Sequence, residues 1–359
     1  MLIAYKYRLY PNREQRKAIV FTLERCRLLY NRLLAERIHT YQNEGKSLNY
    51  YDQANTFSER KMAIPALKQV HSQVLQDVAK RLDKAFQAFY RRVKGGEKPG
   101  FPRFKPASQY DSFTYPQGRY KLDGKKLKLS KIGDVRMKLH RPLEGKVKTC
   151  TIIQKNGKYY ACLSAEIGTK QLPYCADAVG VDLGVRTLAV TSDGEHFKSP
   201  AYLRASEKRL KRLQRSVSRK KKGSNRRKKA VHVLARLHEH VANQRKDYNH
   251  KVSRGLVNRY GLIAFEDLNV LGMTKNHNLA KSIADSGWSQ LVSFTTYKAE
   301  SAGRVVKQVD PRNTSQLCSS CGVVVKKLLK DRKHHCLCCG YIADRDENAA
   351  VNILKRATA

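Results

Sequence analysis

The chain has 359 residues, 41% of them hydrophobic, which is enough for two or three domains with separate cores. Its 72 lysines and arginines against 30 acidic residues give a formal net charge of +42, an excess that favours nucleic acid as the partner. No apolar run approaches the roughly 20 residues of a spanning helix, and the first six residues do not resemble a signal peptide, so neither membrane insertion nor secretion is expected.

The first predicted elements are one strand and two long helices. Apolar and basic residues alternate over residues 3–9, which predicts a strand that Pro11 ends. Apolar residues at helical spacing then predict amphipathic helices over residues 13–41 and 75–89. We expect these helices to form one helical block, residues 11–96.

Strand character returns after the turn-rich stretch at residues 95–102. Four further strands are predicted, at residues 112–115, 125–129, 135–139 and 147–153. Asn156-Gly157 joins two alternating runs and predicts a type I′ hairpin turn. The simplest topology is a small β-barrel of residues 1–10 and 97–172 into which the helical block is inserted.

A new domain is predicted from residue 173 onward. An apolar strand over residues 178–185 is followed by a short strand at residues 188–191. Residues 204–229 then hold fourteen lysines and arginines and a single acid, on a helical apolar stripe that continues further on. We expect a long basic helical hairpin over residues 203–256. The rest of the chain still has 58 basic and 29 acidic residues, so the basic surface is not confined to the hairpin.

The most specific motif is a set of four cysteines in two closely spaced pairs, Cys318 with Cys321 and Cys336 with Cys339. Four thiolates at this spacing are typical of a tetrahedral structural zinc site, which leaves no open position for catalysis. His334, His335 and Cys338 are expected to be neighbours of this site and not ligands. Because the crowded cysteines indicate metal binding and not disulfides, we expect a protein of the reducing cytosol.

Three acidic residues stand out from their surroundings. Asp182 interrupts an apolar strand and Glu266 ends another, where a charge is costly unless it is paired or bound to metal. Asp346 lies where a short helix begins after the cysteine motif, although an acid there could simply be a helix-terminal residue. Asp344 and Asp267 are the neighbouring competitors. In so basic a chain, the three acids together predict a site for Mg²⁺ or Mn²⁺, which prefer carboxylate ligands.

With these segments in place, the order of motifs closely resembles that of the transposon-encoded TnpB (insertion-sequence OrfB) proteins, relatives of the type V CRISPR effector nucleases. The matching segments are residues 180–184, 265–268, 314–322 and 344–350, together with residues 100–105 in the amino-terminal half. The likeness therefore covers nearly the whole chain, and the combined pattern is specific although no single piece is.

The resemblance implies an α/β plus β fold. A wedge-type β-barrel carrying an inserted helical recognition domain would precede an RNase H-like (RuvC) nuclease domain with an inserted four-cysteine zinc ribbon. The nuclease domain would comprise residues 173–310 and 344–359, and the ribbon residues 311–343.

The resemblance also implies a function, namely RNA-guided DNA endonuclease. Asp182, Glu266 and Asp346 would be the catalytic acids of the three RuvC segments and would hold two Mg²⁺, with Asn348 orienting them. The partners would be a noncoding guide RNA and double-stranded target DNA, with sequence read by base pairing. We expect a monomer in the prokaryotic cytoplasm, associated with the nucleoid.

Alternatives from other classes explain part of the pattern. A nucleic-acid-binding protein without cleavage, or a transposase accessory protein, accounts for the charge and the zinc, and only the three carboxylates argue against it. An actin-like ATPase would need glycine-rich phosphate loops, which the sequence lacks. Aromatic residues could stack on opened DNA, although such residues more often belong to a core. These are Phe113, Tyr115, Tyr159 and Tyr160.

Overall fold

The computed structural model describes residues 1–169, 171–328 and 331–359. Two compact units divide the chain, one from Met1 to Gly168 and one from Thr169 to Ala359. Each unit has its own hydrophobic core. Among the described residues, no helix combines the length and the apolar character needed to cross a bilayer.

The first unit begins with one strand and a helical block. Its elements are β1 (Leu2–Tyr10), α1 (Arg13–Glu44), α2 (Tyr50–Ala54), α3 (Phe57–Ala63) and α4 (Ser72–Lys94). Asn12 starts α1 because its side chain accepts from the Gln15 backbone at 2.8 Å while the Gln15 side chain accepts from the Asn12 backbone at 3.0 Å. Gly45 ends α1 in the left-handed conformation. The predicted strand and both predicted helices are confirmed.

Six further strands complete the first unit. They are β2 (Ser112–Tyr115), β3 (Tyr120–Asp123), β4 (Lys126–Leu129), β5 (Gly133–Lys138), β6 (Lys146–Lys155) and β7 (Lys158–Glu166). Asn156 and Gly157, between β6 and β7, both have positive φ, as a type I′ turn requires. The four predicted strands and this hairpin are confirmed, whereas β3 is an addition.

The seven strands form an antiparallel sheet in the order β2-β6-β7-β1-β5-β4-β3. Five strand spacings of about 4.8 Å would separate β2 from β4 by about 24 Å in a flat sheet. The Tyr115 hydroxyl at the end of β2 nevertheless donates to the Ser130 carbonyl, directly after β4, at 2.8 Å. The sheet is therefore strongly curled, as a barrel requires. Within the described residues its edge strands β2 and β3 do not pair, so the predicted barrel is not closed by hydrogen bonds.

The second unit is built on a five-stranded sheet. Its strands are β8 (Ala178–Leu183), β9 (Thr187–Thr191), β10 (His196–Lys198), β11 (Leu262–Glu266) and β12 (Val305–Val309). The order is β10-β9-β8-β11-β12, with β8, β9 and β10 antiparallel and β8, β11 and β12 parallel. β8 thus lies at the centre, paired with β9 on one side and β11 on the other.

Six helices and a small hairpin belong to the second unit as it is described. They are α5 (Tyr202–Ser218), α6 (Asn225–Arg259), α7 (Val270–Met273), α8 (His277–Ser286), α9 (Trp288–Ala302), α10 (Arg345–Thr358), β13 (Lys333–His335) and β14 (Ile342–Asp344). The predicted basic hairpin is confirmed as α5 and α6, which pack together and are separated by a turn in which Ser224 caps α6. The patterns predict no helix between residues 270 and 302, where α7, α8 and α9 are found.

Candidate acidic site and cysteine cluster

Two of the three predicted acids lie at the same edge of the five-stranded sheet. β8 and β11 are parallel, and Val181 pairs with Phe265 in their register. The next residues in each strand, Asp182 and Glu266, are therefore neighbours across the sheet, about one strand spacing apart. Glu266 is buried and Asp182 is partly buried. The topology thus brings together two acids that are far apart in sequence.

Asp346 reaches this edge because α10 packs directly on β8. The contact requires Gly180, since a Cβ there would lie 2.0 Å from the Ala350 carbonyl oxygen. Asp344 caps α10, accepting from the backbone N–H of Asp346 at 2.8 Å and of Glu347 at 3.4 Å. With Asp344 used as the helix cap and Glu347 paired with His196 at 2.8 Å, Asp346 is the acid of this turn that remains available for the site.

The electrostatics show that the charges of Glu266 and Asp346 both reach Asp182. Burial raises the pKa of Asp182 well above its usual value, and the charges of Glu266 and Asp346 raise it further. Burial also raises the pKa of Glu266 and of Asp346. Arg332 opposes this effect at Asp346, with its guanidinium 3.8 Å from the carboxylate. Wholly or partly buried acids with raised pKa values are typical of a functional site, and a divalent cation would supply positive charge there.

The three carboxylates are not drawn together as closely as metal-bound ligands would be. Among the described residues, the four cysteines are the one group of three or more ligand side chains that converges as a metal site. The hard oxygen donors of the three carboxylates nonetheless fit Mg²⁺ or Mn²⁺.

Two further expectations about this site can now be compared with the structure. Asp267 is exposed, unlike Glu266, in agreement with the preference for Glu266. The expectation that Asn348 orients the carboxylates is wrong. Its side chain is fully buried, donating to the Leu317 carbonyl at 2.7 Å and accepting from the Ser319 backbone at 2.9 Å. Asn348 therefore holds the cysteine-bearing segment and not the acids.

The four predicted cysteines form a cluster whose sulfur atoms all lie within 4.8 Å of one another. The closest pairs are Cys318 with Cys339 at 3.7 Å and Cys321 with Cys336 at 3.6 Å. A tetrahedron with Zn–S bonds of about 2.3 Å places its sulfurs about 3.8 Å apart. The donor set and spacing therefore fit structural zinc. His334, His335 and Cys338 lie outside the cluster, as predicted.

Both cysteine pairs are shaped by the backbone that follows them. Gly322 and Gly340 have φ of 79° and 74°, which residues with a Cβ rarely adopt. The backbone N–H of Tyr341 donates to Cys339 and lowers the pKa of that thiol to about 7. Val323 acts in the same way on Cys321, but the neighbouring sulfurs, Cys339 foremost, outweigh it and raise that pKa to about 12. The turns are thus arranged to favour thiolates, which are the zinc-binding form.

Comparison with known proteins adds an independent result. The family model "Probable transposase" (OrfB of IS605) matches residues 163–277, and "Cas12f1-like, TNB domain" matches residues 288–353. The chain is 36% identical to "Putative RNA-guided DNA endonuclease InsQ" of Escherichia coli K12 over 98% of this chain and 92% of that protein. The chain belongs to the TnpB family.

A second relative and a solved structure are also similar to this TnpB-family chain. "Putative RNA-guided DNA endonuclease" of Streptomyces pristinaespiralis is 33% identical, over 99% of this chain and 89% of that protein. "Structure of the mini-RNA-guided endonuclease CRISPR-Cas_phi3" covers 100% of this chain and 92% of that chain, with a TM-score of 0.53 at 9% identity. At that identity the likeness shows a shared fold alone.

The TnpB family model for residues 1–46 carries the description "Helix-turn-helix domain". In this chain those residues form β1 and the single long helix α1. The two short helices joined by a turn that this description implies are therefore not what this segment forms.

The basic hairpin of this TnpB-family chain is free to meet a polyanion. Glu207, the one acid in residues 204–229, pairs with Lys211 at 2.9 Å and with Lys281 of α8 at 2.5 Å. Within the part of the chain that is described, Lys211 is the one base of this segment that pairs with an acid. Phosphates would supply the missing negative charge.

Most of the aromatic residues considered for stacking are not available for it. Phe113, Tyr115 and Tyr159 are buried in the core of the first unit. Tyr160 is partly exposed, but Lys6 and Arg8 lie over its ring at 4.3 and 5.1 Å. The alternative, that such aromatic residues belong to a hydrophobic core, is therefore correct for Phe113, Tyr115 and Tyr159.

The sequence interpretation missed Thr314 as a residue of the site. Thr314 is 3% exposed, and its hydroxyl donates to the carboxylate of Glu266. The segment at residues 314–322 was noticed for its resemblance to the family, but a threonine four residues before a cysteine carries no signal of its own. Only the tertiary structure brings it to β11.

Proposed function

We propose that this protein is an RNA-guided DNA endonuclease that uses Asp182, Glu266 and Asp346 to hold two Mg²⁺ ions. The observation that carries the proposal is the approach of three acids, remote in sequence, to one edge of a sheet in a chain with a net charge of +42. The names of its full-length relatives support RNA guidance and DNA as the substrate.

The acids would act by fixing the metal ions against the scissile phosphate. When bound, Mg²⁺ would supply charge neutralisation, an activated water and stabilisation of the leaving 3′ oxygen. Asp182 would be one of the three residues that hold the ions, since the charges of both other acids reach it. Glu266, held by Thr314, and Asp346, fixed in the first turn of α10, would complete the two coordination shells.

We also propose the domain assignment implied by the resemblance. The curled sheet would be the wedge-type barrel, residues 1–10 and 97–172, with residues 11–96 as the helical recognition domain. The mixed sheet, with three antiparallel strands followed by two parallel ones, supports an RNase H-like (RuvC) nuclease domain. Residues 311–343 would be its zinc ribbon.

A second candidate is guided nucleic-acid binding without cleavage. It is favoured by one observation, that the three carboxylates do not converge as closely as the cysteines do. Under this alternative the basic surface and the zinc cluster keep their roles, and the acids would be remnants of a lost activity.

The test uses the full chain expressed together with its flanking DNA. The RNA that copurifies is sequenced, and plasmids carrying a matching or a scrambled target are incubated with and without added Mg²⁺. We expect a discrete RNA and cuts only in the matching plasmid with Mg²⁺, because sequence is read by base pairing. A defined RNA with matched binding but no cuts would establish the binding alternative instead.

A further inference from the structure

One face of α10 is hydrogen-bonded to the segment that leads into the cysteine cluster. Asn348, Asn352 and Lys355 lie at helical spacing on this face, and all three side chains bond to backbone of residues 314–319. Asn348 and Asn352 both donate to the Leu317 carbonyl, at 2.7 and 2.8 Å. Lys355 donates to the carbonyl of Ser319, the residue after Cys318. The first cysteine pair is thus fastened to the helix that carries Asp346.

A hydrogen bond from α10 also reaches Thr314. The Asn352 amide donates to the Thr314 carbonyl at 2.9 Å as well as to Leu317. The Thr314 hydroxyl in turn donates to Glu266, and the Pro311 carbonyl lies 3.1 Å from the same oxygen. Thr314, Asn352 and Glu266 are all buried, so water does not easily replace these bonds.

These contacts form a continuous path between two sites that differ in chemistry. From the cysteine cluster it runs through Leu317 and Ser319 to the asparagines of α10, and from Asn352 through Thr314 to Glu266. Asp346 is on the first turn of the same helix. A shift of the cysteine-bearing segment would therefore move the support of Glu266 and the helix of Asp346 together.

We infer that Thr314 and Asn352 are positioning residues that couple the cysteine cluster to the acidic site. The inference rests on the proposed function, since it concerns the proposed metal-binding role of Glu266 and Asp346. Glu266 is oriented by the Thr314 hydroxyl, and the position of Thr314 depends on α10 and on the cysteine cluster. Partners that hydrogen-bond a metal ligand in this way typically change metal affinity or activity by about 10- to 100-fold when they are removed.

The first measurement is Mn²⁺ binding to the zinc-loaded full chain without DNA, followed by electron paramagnetic resonance of free Mn²⁺. Thr314→Val keeps the shape of the side chain but cannot donate, and we expect its Mn²⁺ affinity to fall about tenfold or more. Thr314→Ser restores the hydroxyl and should recover most of the affinity. The matched control is Thr295→Val, because Thr295 is equally buried in this unit but bonds only within α9, to the Leu291 carbonyl at 2.9 Å.

The second measurement tests the link to α10. Asn352→Asp replaces the amide donor with a carboxylate facing two carbonyl oxygens, so Thr314 should lose its support while its hydroxyl remains. We expect a loss of Mn²⁺ affinity similar to that of Thr314→Val, again about tenfold or more. Zinc content and thermal unfolding are recorded for every variant, and the Mg²⁺ needed for half-maximal cleavage should rise in parallel while the rate at saturating Mg²⁺ changes less.

Four outcomes would overturn the inference. Folded, zinc-loaded Thr314→Val with wild-type Mn²⁺ affinity would do so, as would equal losses in Thr314→Val and Thr295→Val. If Thr314→Val does not fold, Asn352→Asp decides, and wild-type affinity there rejects the coupling. If any of these results is found and the wild-type chain still cuts DNA normally, the inference fails but the proposed function stands. A wild-type chain that binds no Mn²⁺ rejects both.

Discussion

The cysteine cluster and the acidic site lie in the same unit and are both suited to metal, yet they are built in opposite ways. The cluster is already assembled, with sulfur pairs 3.6 and 3.7 Å apart and glycine turns that fix them. The three acids do not converge as the cysteines do, and burial raises the pKa of each of them.

This difference is the one expected between a structural metal site and a catalytic one. A structural zinc site is closed by four ligands and stabilises the fold when it is filled. A catalytic site keeps positions open for substrate and water, so its unpaired charges cost stability until metal arrives. The predictions below test this contrast, beginning with the largest expected effect on stability.

Breaking the cysteine cluster should have the largest effect. Cys336→Ser removes a buried, proposed zinc ligand, and structural zinc contributes about 10 kcal/mol or more to small zinc-dependent folds at neutral pH. We expect the purified variant to lose its zinc and to unfold at lower temperature, measured by metal analysis and calorimetry. Cys338→Ser is the control, because Cys338 is exposed and outside the cluster. Full zinc content in Cys336→Ser would contradict the assigned ligand set.

Displacing α10 should affect the acidic site more selectively. Gly180→Ala places a Cβ about where the Ala350 carbonyl lies, and such overpacking costs about 1–3 kcal/mol. We expect a lower Tm and slower cleavage with zinc retained. Gly255→Ala in α6 has open space around the new methyl group and should be neutral or slightly stabilising. Equal cleavage by both variants would show that the position of α10 does not matter.

Removing one charge from the acidic site should stabilise the protein. The pKa of Asp182 is raised in the folded state, so its carboxylate charge opposes folding at neutral pH. We expect Asp182→Asn to raise the unfolding free energy of the zinc-loaded, Mg²⁺-free protein by about 0.5–2 kcal/mol. The advantage should disappear as the pH falls below the ordinary pKa of aspartate, because the wild-type side chain is then neutral in both the folded and the unfolded state. A Tm below that of the wild type at neutral pH would argue against this picture.

Local patterns explain how much of the fold the sequence predicts. β1, α1, α4 and the basic hairpin have regular apolar spacing, and the structure confirms them. α9 escaped prediction because its buried face includes Thr295 and Lys298, which break the apolar stripe. β3 is four residues long with no buried side chain, so it has little periodicity to detect.

In the candidate sites too, features that are local in sequence could be recognised and long-range contacts could not. The cysteine cluster could be predicted because its spacing is local, and the three acids stand out because each is unusual in its own segment. The contact between Thr314 and Asn352 could not be predicted, because the two residues are 38 positions apart in sequence and meet only in the folded chain. Asn348 was given the wrong role because proximity to Asp346 in sequence says nothing about the direction of its side chain.

The most direct test of the central claim is cleavage of a matched plasmid by Asp182→Asn, with Asp267→Asn as the control. Asp267 is an exposed acid next to Glu266, so it should be dispensable. Loss of a metal ligand that contributes several kcal/mol should slow cleavage by about a thousandfold or more while RNA and DNA binding persist. If Asp182→Asn cuts as fast as Asp267→Asn, the acids at the sheet edge are not the catalytic site.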